Sequence, residues 1–286
     1  MNEPVLASPD VVRYVVRRFG LRMNKKLGQN FLIRRSVVDT IAAVADLQPG
    51  DPVLEIGPGI GTLTQALAET GAQVTAVELD EHLLPVLATT LANYPNVHVV
   101  HGDILRLDIR ELMGNKPFKV CANLPYYITT PIIMKLIEQG LPIERLVVMV
   151  QKEVAERMIS GPGSRIYGAL SVSVQYYSEP RLVLEIPPKA FLPPPEVTSA
   201  VVAMDIRKEP PVAVLEESRF FQVVKAAFGQ RRKTFANALK GAGVVKEEVG
   251  QILADCGIDG QRRGETFTLA EFAAIADSWT KLIDKK

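Results

Sequence analysis

PVLEIGPGIGTL, residues 52–63, is the stretch on which the fold turns. Pro52 to Gly57 is a short apolar run of the length and composition of a buried strand. Glycines at alternate positions (Gly57, Gly59, Gly61) follow, and Thr62 to Thr70 carries a helical pattern. Strand, glycine turn and helix in that order open a βαβ unit, in which the backbone at the turn can come close to a ligand. The pattern repeats downstream. Gln73 to Leu79, Val97 to Gly102, Phe118 to Leu124 and Arg145 to Gln151 read as strands, with a helical stretch at Glu81 to Tyr94. This alternation predicts an α/β fold, a doubly wound Rossmann-like parallel sheet covered on both faces. Past Gly168, the segments Leu170 to Tyr177, Arg181 to Ile186 and Ser199 to Ile206 read as further strands that add an antiparallel edge. Glu209-Pro210-Pro211 reads as a linker. Helical periodicity broken by Gly241, Gly243, Gly257, Gly260 and Gly264 then predicts a small all-helical C-terminal domain. The expected division is 1–207 and 208–286.

The ends of the strands carry the chemistry. Glu78 closes the second strand, where a carboxylate can accept from both hydroxyls of a ribose, and Asp103 follows the third, placed to accept from an adenine amine. Taken alone, Asp103 could equally be a helix N-cap. The dinucleotide fingerprint needs its third glycine where Thr62 stands, so a pyrophosphate site fits poorly. An acid two residues before the first of three alternating glycines instead resembles the turn that holds S-adenosylmethionine.

Asn123-Leu124-Pro125-Tyr126 ends the fourth strand. An amide oxygen from Asn123 and the Pro125 carbonyl can both accept from one exocyclic NH2 while the Tyr126 ring stacks on the base that bears it. Adenine's amine is a poor nucleophile because its lone pair is delocalised into the ring, so orientation toward a sulfonium methyl matters more than a strong base. Phe191, projected by Pro193-Pro194-Pro195, is expected to cover the other face of the base, although an aromatic at such a position is often a core ring.

Composition limits the alternatives. A chain of 286 residues with 47% apolar and 23% charged residues suits a soluble globular protein of one large or two modest domains. The valines near the amino terminus are interrupted by Arg13, Arg17 and Arg18, so neither a signal peptide nor a membrane span can be drawn, and a cytoplasmic monomer is expected. Cys121 and Cys256 lie far apart, and His82, His98 and His101 have no ligand-like companions, which predicts neither a disulfide nor a metal. Net charge is +1, unevenly spread: residues 1–35 hold eight Lys/Arg against two acids, 206–286 fourteen against eleven, and 36–205 eleven against nineteen. Basic ends around an acidic middle suit a polyanion gripped at its flanks and a cationic ligand between. Arg231-Arg232-Lys233 opens a helical pattern, where cations oppose the helix dipole, and is the expected grip on the polyanion, which the resemblance stated below makes RNA.

Several runs together resemble one family: Lys26 to Leu32 (KLGQNFL), Leu54 to Gly61, Ala76 to Asp80 (AVELD), Gly102-Asp103, Asn123 to Tyr126 and Phe191 to Ser199 (FLPPPEVTS). The chain resembles the ribosomal RNA adenine dimethyltransferases, and within them the small-subunit (16S), kasugamycin-sensitivity branch. The resemblance implies S-adenosylmethionine as cofactor and S-adenosylhomocysteine as product. The reaction it implies is dimethylation of two adjacent adenines in the 3′-terminal hairpin of 16S rRNA, within the small ribosomal subunit or its precursor. It further implies that Gln29, Asn30 and Leu32 close over the methionine part of the cofactor, that Gly57 and Gly59 lie beneath it, that Glu78 and Leu79 hold the ribose, that Asp103 and Ile104 fix the adenine, and that Asn123 touches both cofactor and target. Alternatives within reach are the large-subunit (23S) methyltransferases of macrolide resistance and a chiefly structural checkpoint role in ribosome assembly. A nicotinamide oxidoreductase shares the strand layout but lacks a His–acid or Tyr–Lys constellation.

Overall fold

The structure is a computed structural model that describes residues 4–21, 29–230 and 232–284. The chain divides into two compact units, one of Met1–Ala155 with Glu179–Ile206, the other of Glu156–Ser178 with Arg207–Lys286. One crossing falls at 206/207, one residue before the expected break at 207/208. The stretch Glu156–Ser178, expected in the first domain, groups with the helical unit.

In the first unit, α1 (Pro9–Arg18) precedes β1 (Phe31–Leu32) and α2 (Arg35–Ala45). The alternating layer follows as β2 (Pro52–Ile56), α3 (Thr62–Glu69), β3 (Gln73–Glu78), α4 (Leu84–Thr90), β4 (Val97–His101), α5 (Ile109–Met113), β5 (Phe118–Asn123), α6 (Thr129–Glu138) and β6 (Ile143–Gln151). Seven strands form one sheet in the order β4-β3-β2-β5-β6-β9-β7, where β7 is Ser178–Ile186 and β9 Ser199–Ile206. Strands β2 to β6 pair in parallel. β9 runs antiparallel to β6, from Arg145 opposite Asp205 to Gln151 opposite Ser199. The antiparallel strand therefore lies one place inside the edge. Val53, Leu54, Val120, Cys121, Val147 and Val148 are fully buried, the continuous apolar run expected of central parallel strands covered on both faces. Strand order reverses between β2 and β5, the place where an open α/β sheet leaves a crevice beyond its strand ends.

The second unit contains α8 (Ala169–Tyr177), α9 (Glu217–Gly229), α10 (Phe235–Gly241), α11 (Lys246–Asp255) and α12 (Leu269–Ile283), and α7 (Lys152–Ile159) runs across the division into it. Its core is aromatic: Tyr176 stacks on Phe220 with centroids 4.8 Å apart, and Phe235 lies 4.6 Å from Phe267. The segment 170–177 is a helix, not the expected strand. Its alternating LSVSV pattern gives a period-2 signal, but Leu170, Ser171, Val172, Ser173 and Val174 are all buried, so alternation does not separate core from solvent here. The serines are accommodated by local bonds: Ser171 Oγ donates to the Arg157 carbonyl and accepts from the Gly168 amide. β8 (Phe191–Leu192) pairs antiparallel with β1 in a separate two-stranded ribbon.

Candidate active site

At the carboxyl ends of the parallel strands a cavity opens, and every residue expected to hold the cofactor lines it: Gln29, Asn30, Leu32, Gly57, Gly59, Glu78, Leu79, Asp103, Ile104 and Asn123. Pairing in the sheet explains the convergence. Ile56 is level with Val77 and Ala122, and Glu78 with His101, so the residues that leave each strand end arrive at one rim.

The turn after β2 forms the floor. Gly57 and Gly59 have φ of +69° and +62°, a region that costs little only for glycine. A Cβ at Gly59 would also meet the Phe31 ring at 3.3 Å, so side-chain-free backbone here is a steric requirement as well. Glu78 is 6% exposed, and its two oxygens accept from the amides of Gly59 (3.1 Å) and Asp80 (2.8 Å). Burial raises its pKa, and those two amide bonds oppose the shift. A carboxylate has about four acceptor sites, so these bonds leave capacity for a ligand hydroxyl. Gln29 Nε2 donates to Asp80 Oδ2 at 2.7 Å, which ties the segment before β1 to the loop after β3. Lys25 and Lys26, which precede Gln29, lie outside the described residues.

Glu55, on the same floor, is 1% exposed, and burial, with the nearby Glu78 adding to it, pushes its pKa up to about 8. Its Oε2 has no partner among the described residues. A buried, unpaired carboxyl oxygen facing a cavity is costly unless something cationic or hydrogen-bonding fills the space, and it fits a ligand that carries an ammonium or sulfonium group. Sequence reading singled out this acid, two residues before the first glycine, as part of the turn, and gave it no contact of its own.

Asp103 caps a turn rather than a helix: Oδ1 accepts from the Leu105 amide (2.9 Å), and Arg106 Nε lies 3.5 Å from Oδ2. The alternative of a helix N-cap is therefore replaced by a tight turn that still leaves Asp103 on the cavity wall.

Asn123 and Pro125 line the cavity, and the Asn123 Nδ2 donates toward the Asn30 carbonyl at 3.4 Å, leaving Oδ1 as the acceptor the amide has to offer. Three expectations at this end change. The Pro125 carbonyl already accepts from Thr129 Oγ1 (3.0 Å) and the Ile128 amide (3.2 Å), so both of its lone pairs are engaged in the turn and it is not a ready acceptor for an amine. The Tyr126 hydroxyl bonds Ser199 Oγ at 2.7 Å and its half-buried ring is not among those lining this cavity, whereas Tyr127, 53% exposed, lines it. Adjacent residues of a 3-10 turn point in different directions, which a linear motif does not reveal. Phe191 is 2% exposed within the sheet core, with Leu32 opposite it in the β1–β8 ribbon. The prolines after it do not project its ring outward, because strand pairing fixes its direction first.

Of the expected RNA grip, Arg231 lies outside the described residues. Arg232 and Lys233 are exposed just before α10. Two acids offered as their alternative partners have other contacts: Glu216 lies 3.5 Å from Arg219, and Glu217 accepts from the Tyr177 hydroxyl at 2.6 Å. Among the described residues there is no cluster of three His, Cys, Asp or Glu suited to a metal, and no helix long and apolar enough to cross a membrane.

Comparison with known proteins points the same way as the cavity. Residues 20–280 match the family model of ribosomal RNA adenine dimethylases. The chain is 46% identical to "Ribosomal RNA small subunit methyltransferase A" of Alkaliphilus oremlandii, over 96% of this chain and 98% of that one. With the protein of the same name from Pelotomaculum thermopropionicum it shares 48% identity over 96% and 97%. Among solved structures, 23S rRNA methyltransferase ErmE superposes with a TM-score of 0.69 at 27% identity, covering 87% of this chain and 99% of that one. A dimethyladenosine transferase from Plasmodium falciparum shares the fold, with a TM-score of 0.75 at 24% identity over 88% and 98%. With a family match that takes in the glycine turn, the acidic strand ends, the Asn-Leu-Pro-Tyr turn and nearly all of the helical unit, this chain belongs to the ribosomal RNA adenine dimethylases.

Proposed function

We propose that this protein uses S-adenosylmethionine to dimethylate the exocyclic amines of two adjacent adenines in the 3′-terminal hairpin of 16S rRNA during assembly of the small ribosomal subunit. The observation that carries the reading is the cavity that gathers Gly57, Gly59, Glu78, Asp103 and Asn123, a nucleoside cradle with an amide acceptor at its rim. The names of the near-full-length relatives favour the small subunit over the large one.

When bound, S-adenosylmethionine supplies an electrophilic methyl group on a sulfonium. The chain's own part is placement. Glu78 holds a ribose, Asp103 and Ile104 border a purine, and the unpaired Glu55 oxygen offers a counter-charge on the floor. Asn123 Oδ1 would accept a hydrogen from the target amine and so orient the nitrogen lone pair for in-line attack; as the N–C bond formed the S–C bond would break to leave S-adenosylhomocysteine, and the acidic proton of the alkylated amine would pass to solvent without a strong base. Tyr127 at the mouth offers a face to an unstacked base. The C-terminal helical unit contributes RNA contact through Arg232 and Lys233.

The test is transfer of label from S-adenosylmethionine to unmodified small or large ribosomal subunits, followed by nucleoside mapping. The reading requires dimethyladenosine in small-subunit RNA. Label confined to large subunits, or subunit binding with no label, would overturn it.

A further inference from the structure

The face of α1 that points away from the core has no part in the chemistry above. Val12 and Val15 bury the other face against Phe31, Ile60, Leu83 and Val86, and Phe31 and Leu83 also line the cavity, so the helix is seated on the cavity wall. Arg13, Tyr14, Arg17 and Arg18 are exposed. Their i, i+4 spacing places Arg13 with Arg17 and Tyr14 with Arg18 in two neighbouring rows. Arg18 Nη1 donates to the Tyr14 hydroxyl at 2.7 Å, and that ring stays 58% exposed. The helix contains one acid, Asp10, which lies 3.2 Å from Arg13 with its own side chain 95% exposed, a surface pair too weak to neutralise the row.

This platform is fixed in place. The Leu6 amide donates to Gln65 Oε1 (2.8 Å), Gln65 Nε2 donates to the Pro4 carbonyl (3.1 Å), and Ser8 caps the helix. Arg17 and Arg18 fall in the last turn, where cations complement the helix dipole, and that accounts for them without a ligand. It does not account for Arg13 and a half-bare tyrosine in the middle of the helix. Guanidinium forks match phosphate oxygens, and an exposed ring between them matches a base. Charge complementarity, with three arginines against one acid, selects a polyanion.

We propose that this face of α1 docks the single-stranded RNA flanking the adenine in the cavity, with Arg13, Arg17 and Arg18 on phosphates and Tyr14 against a base. The inference rests on the ribosomal RNA reading above and names a surface for it. The measurement is binding of the full chain to immature small subunits across a potassium chloride series, alongside calorimetry with S-adenosylmethionine. Arg13→Glu with Arg17→Glu should lower affinity about tenfold at 0.1 M salt and flatten the log–log salt slope by about 1.4, at about 0.7 per phosphate on a single strand. Tyr14→Ala should weaken binding several-fold, Tyr14→Phe should restore it, and cofactor affinity should be unchanged in every variant. Salt curves of the double variant that superimpose on wild type overturn the proposal. So does a change in sedimentation of the protein alone with subunit binding intact, which would assign the face to a second copy. Wild-type protein that binds subunits without methylating them would sink the functional reading while leaving the α1 measurement valid.

Discussion

Both buried carboxylates among the described residues, Glu55 and Glu78, belong to the sheet unit and line its cavity, whereas the helical unit buries serine and threonine hydroxyls and otherwise packs rings. The helical unit's ions stay near solvent in pairs such as Arg262 with Glu271, or over aromatic faces, as Arg219 lies 4.5 Å from the Trp279 centroid. Burying a carboxylate costs free energy and adds nothing to packing, so a unit that does so twice, once with an oxygen left unpaired at Glu55, has given up stability for a site. Changes in the polar groups of the cavity should therefore alter chemistry or cofactor affinity while leaving RNA association intact, and changes on the exposed cationic surfaces, on α1 as on the helical unit, should do the reverse.

The largest separation is expected at Asn123. Asn123→Ala should reduce methyl transfer by about 10³-fold, the scale of losing one preorganised polar contact to a transition state. The protein should remain folded and bind small subunits as before. Transfer near the wild-type rate in single-turnover assays would break the amine-orienting role and with it the comparison's strongest arm.

Glu78→Ala comes next, with a loss of about 1.5–3 kcal/mol in S-adenosylmethionine affinity as charge-assisted bonds to a ribose disappear. Calorimetry is the readout. Wild-type affinity would take Glu78 out of the site, and weakened subunit binding in the same variant would show that the two units are not independent.

These two residues were legible in the sequence because the chemistry needs particular atoms at the ends of parallel strands, and strand ends are easy to find next to glycines. The seven expected cofactor residues at or just after the ends of parallel strands line one cavity for that reason, and Gln29, Asn30 and Leu32, expected from the family resemblance, line it from the segment at β1. Less legible were features set by tertiary packing. The helix at 169–177 is buried from Leu170 through Val174 without a break, so the alternation there carried no information about its partner. Phe191 follows the β1–β8 pairing instead of its prolines, and the choice between Tyr126 and Tyr127 depends on a single hydroxyl finding Ser199. No linear pattern encodes a bond across 73 residues.

That bond makes the third prediction. If Ser199, which is fully buried, holds the Tyr126 ring and through it the Asn-Leu-Pro-Tyr turn, then Ser199→Ala and Tyr126→Phe should each lower kcat about fivefold, the value of roughly 1 kcal/mol for one hydrogen bond. The double variant should fall no further than either single one, and KM for the subunit should hold. Multiplicative losses would show that the two hydroxyls act separately.

A smaller effect concerns acidity. With its pKa raised to about 8, Glu55 is largely protonated at neutral pH in the free protein, and a cationic ligand favours its ionised form. Binding should then release protons, and S-adenosylmethionine affinity should rise several-fold from pH 6 toward pH 8 and level off above it. Glu55→Gln should flatten that part of the profile. The sign is the informative outcome: affinity that falls as pH rises would mean that Glu55 is ionised before the ligand arrives.

The smallest expected effect lies on the helical unit, and it tests the other half of the comparison. Arg232 and Lys233 stand exposed before α10, and two acids that precede them in the chain, Glu216 and Glu217, bond Arg219 and Tyr177. If they bind phosphates, neutralising both to alanine should weaken subunit binding a few-fold and flatten the salt slope by about 0.7 for each phosphate no longer held, with cofactor affinity and single-turnover rate on bound subunits unchanged. If they only solvate the start of a helix, their removal should stabilise α10 slightly by relieving the clash of cations with its dipole, and the salt curves should coincide with wild type. The two readings therefore differ in the sign of the stability change as well as in binding. A pair of alanine variants measured by thermal unfolding and by salt titration decides between a surface kept for RNA and one kept for water.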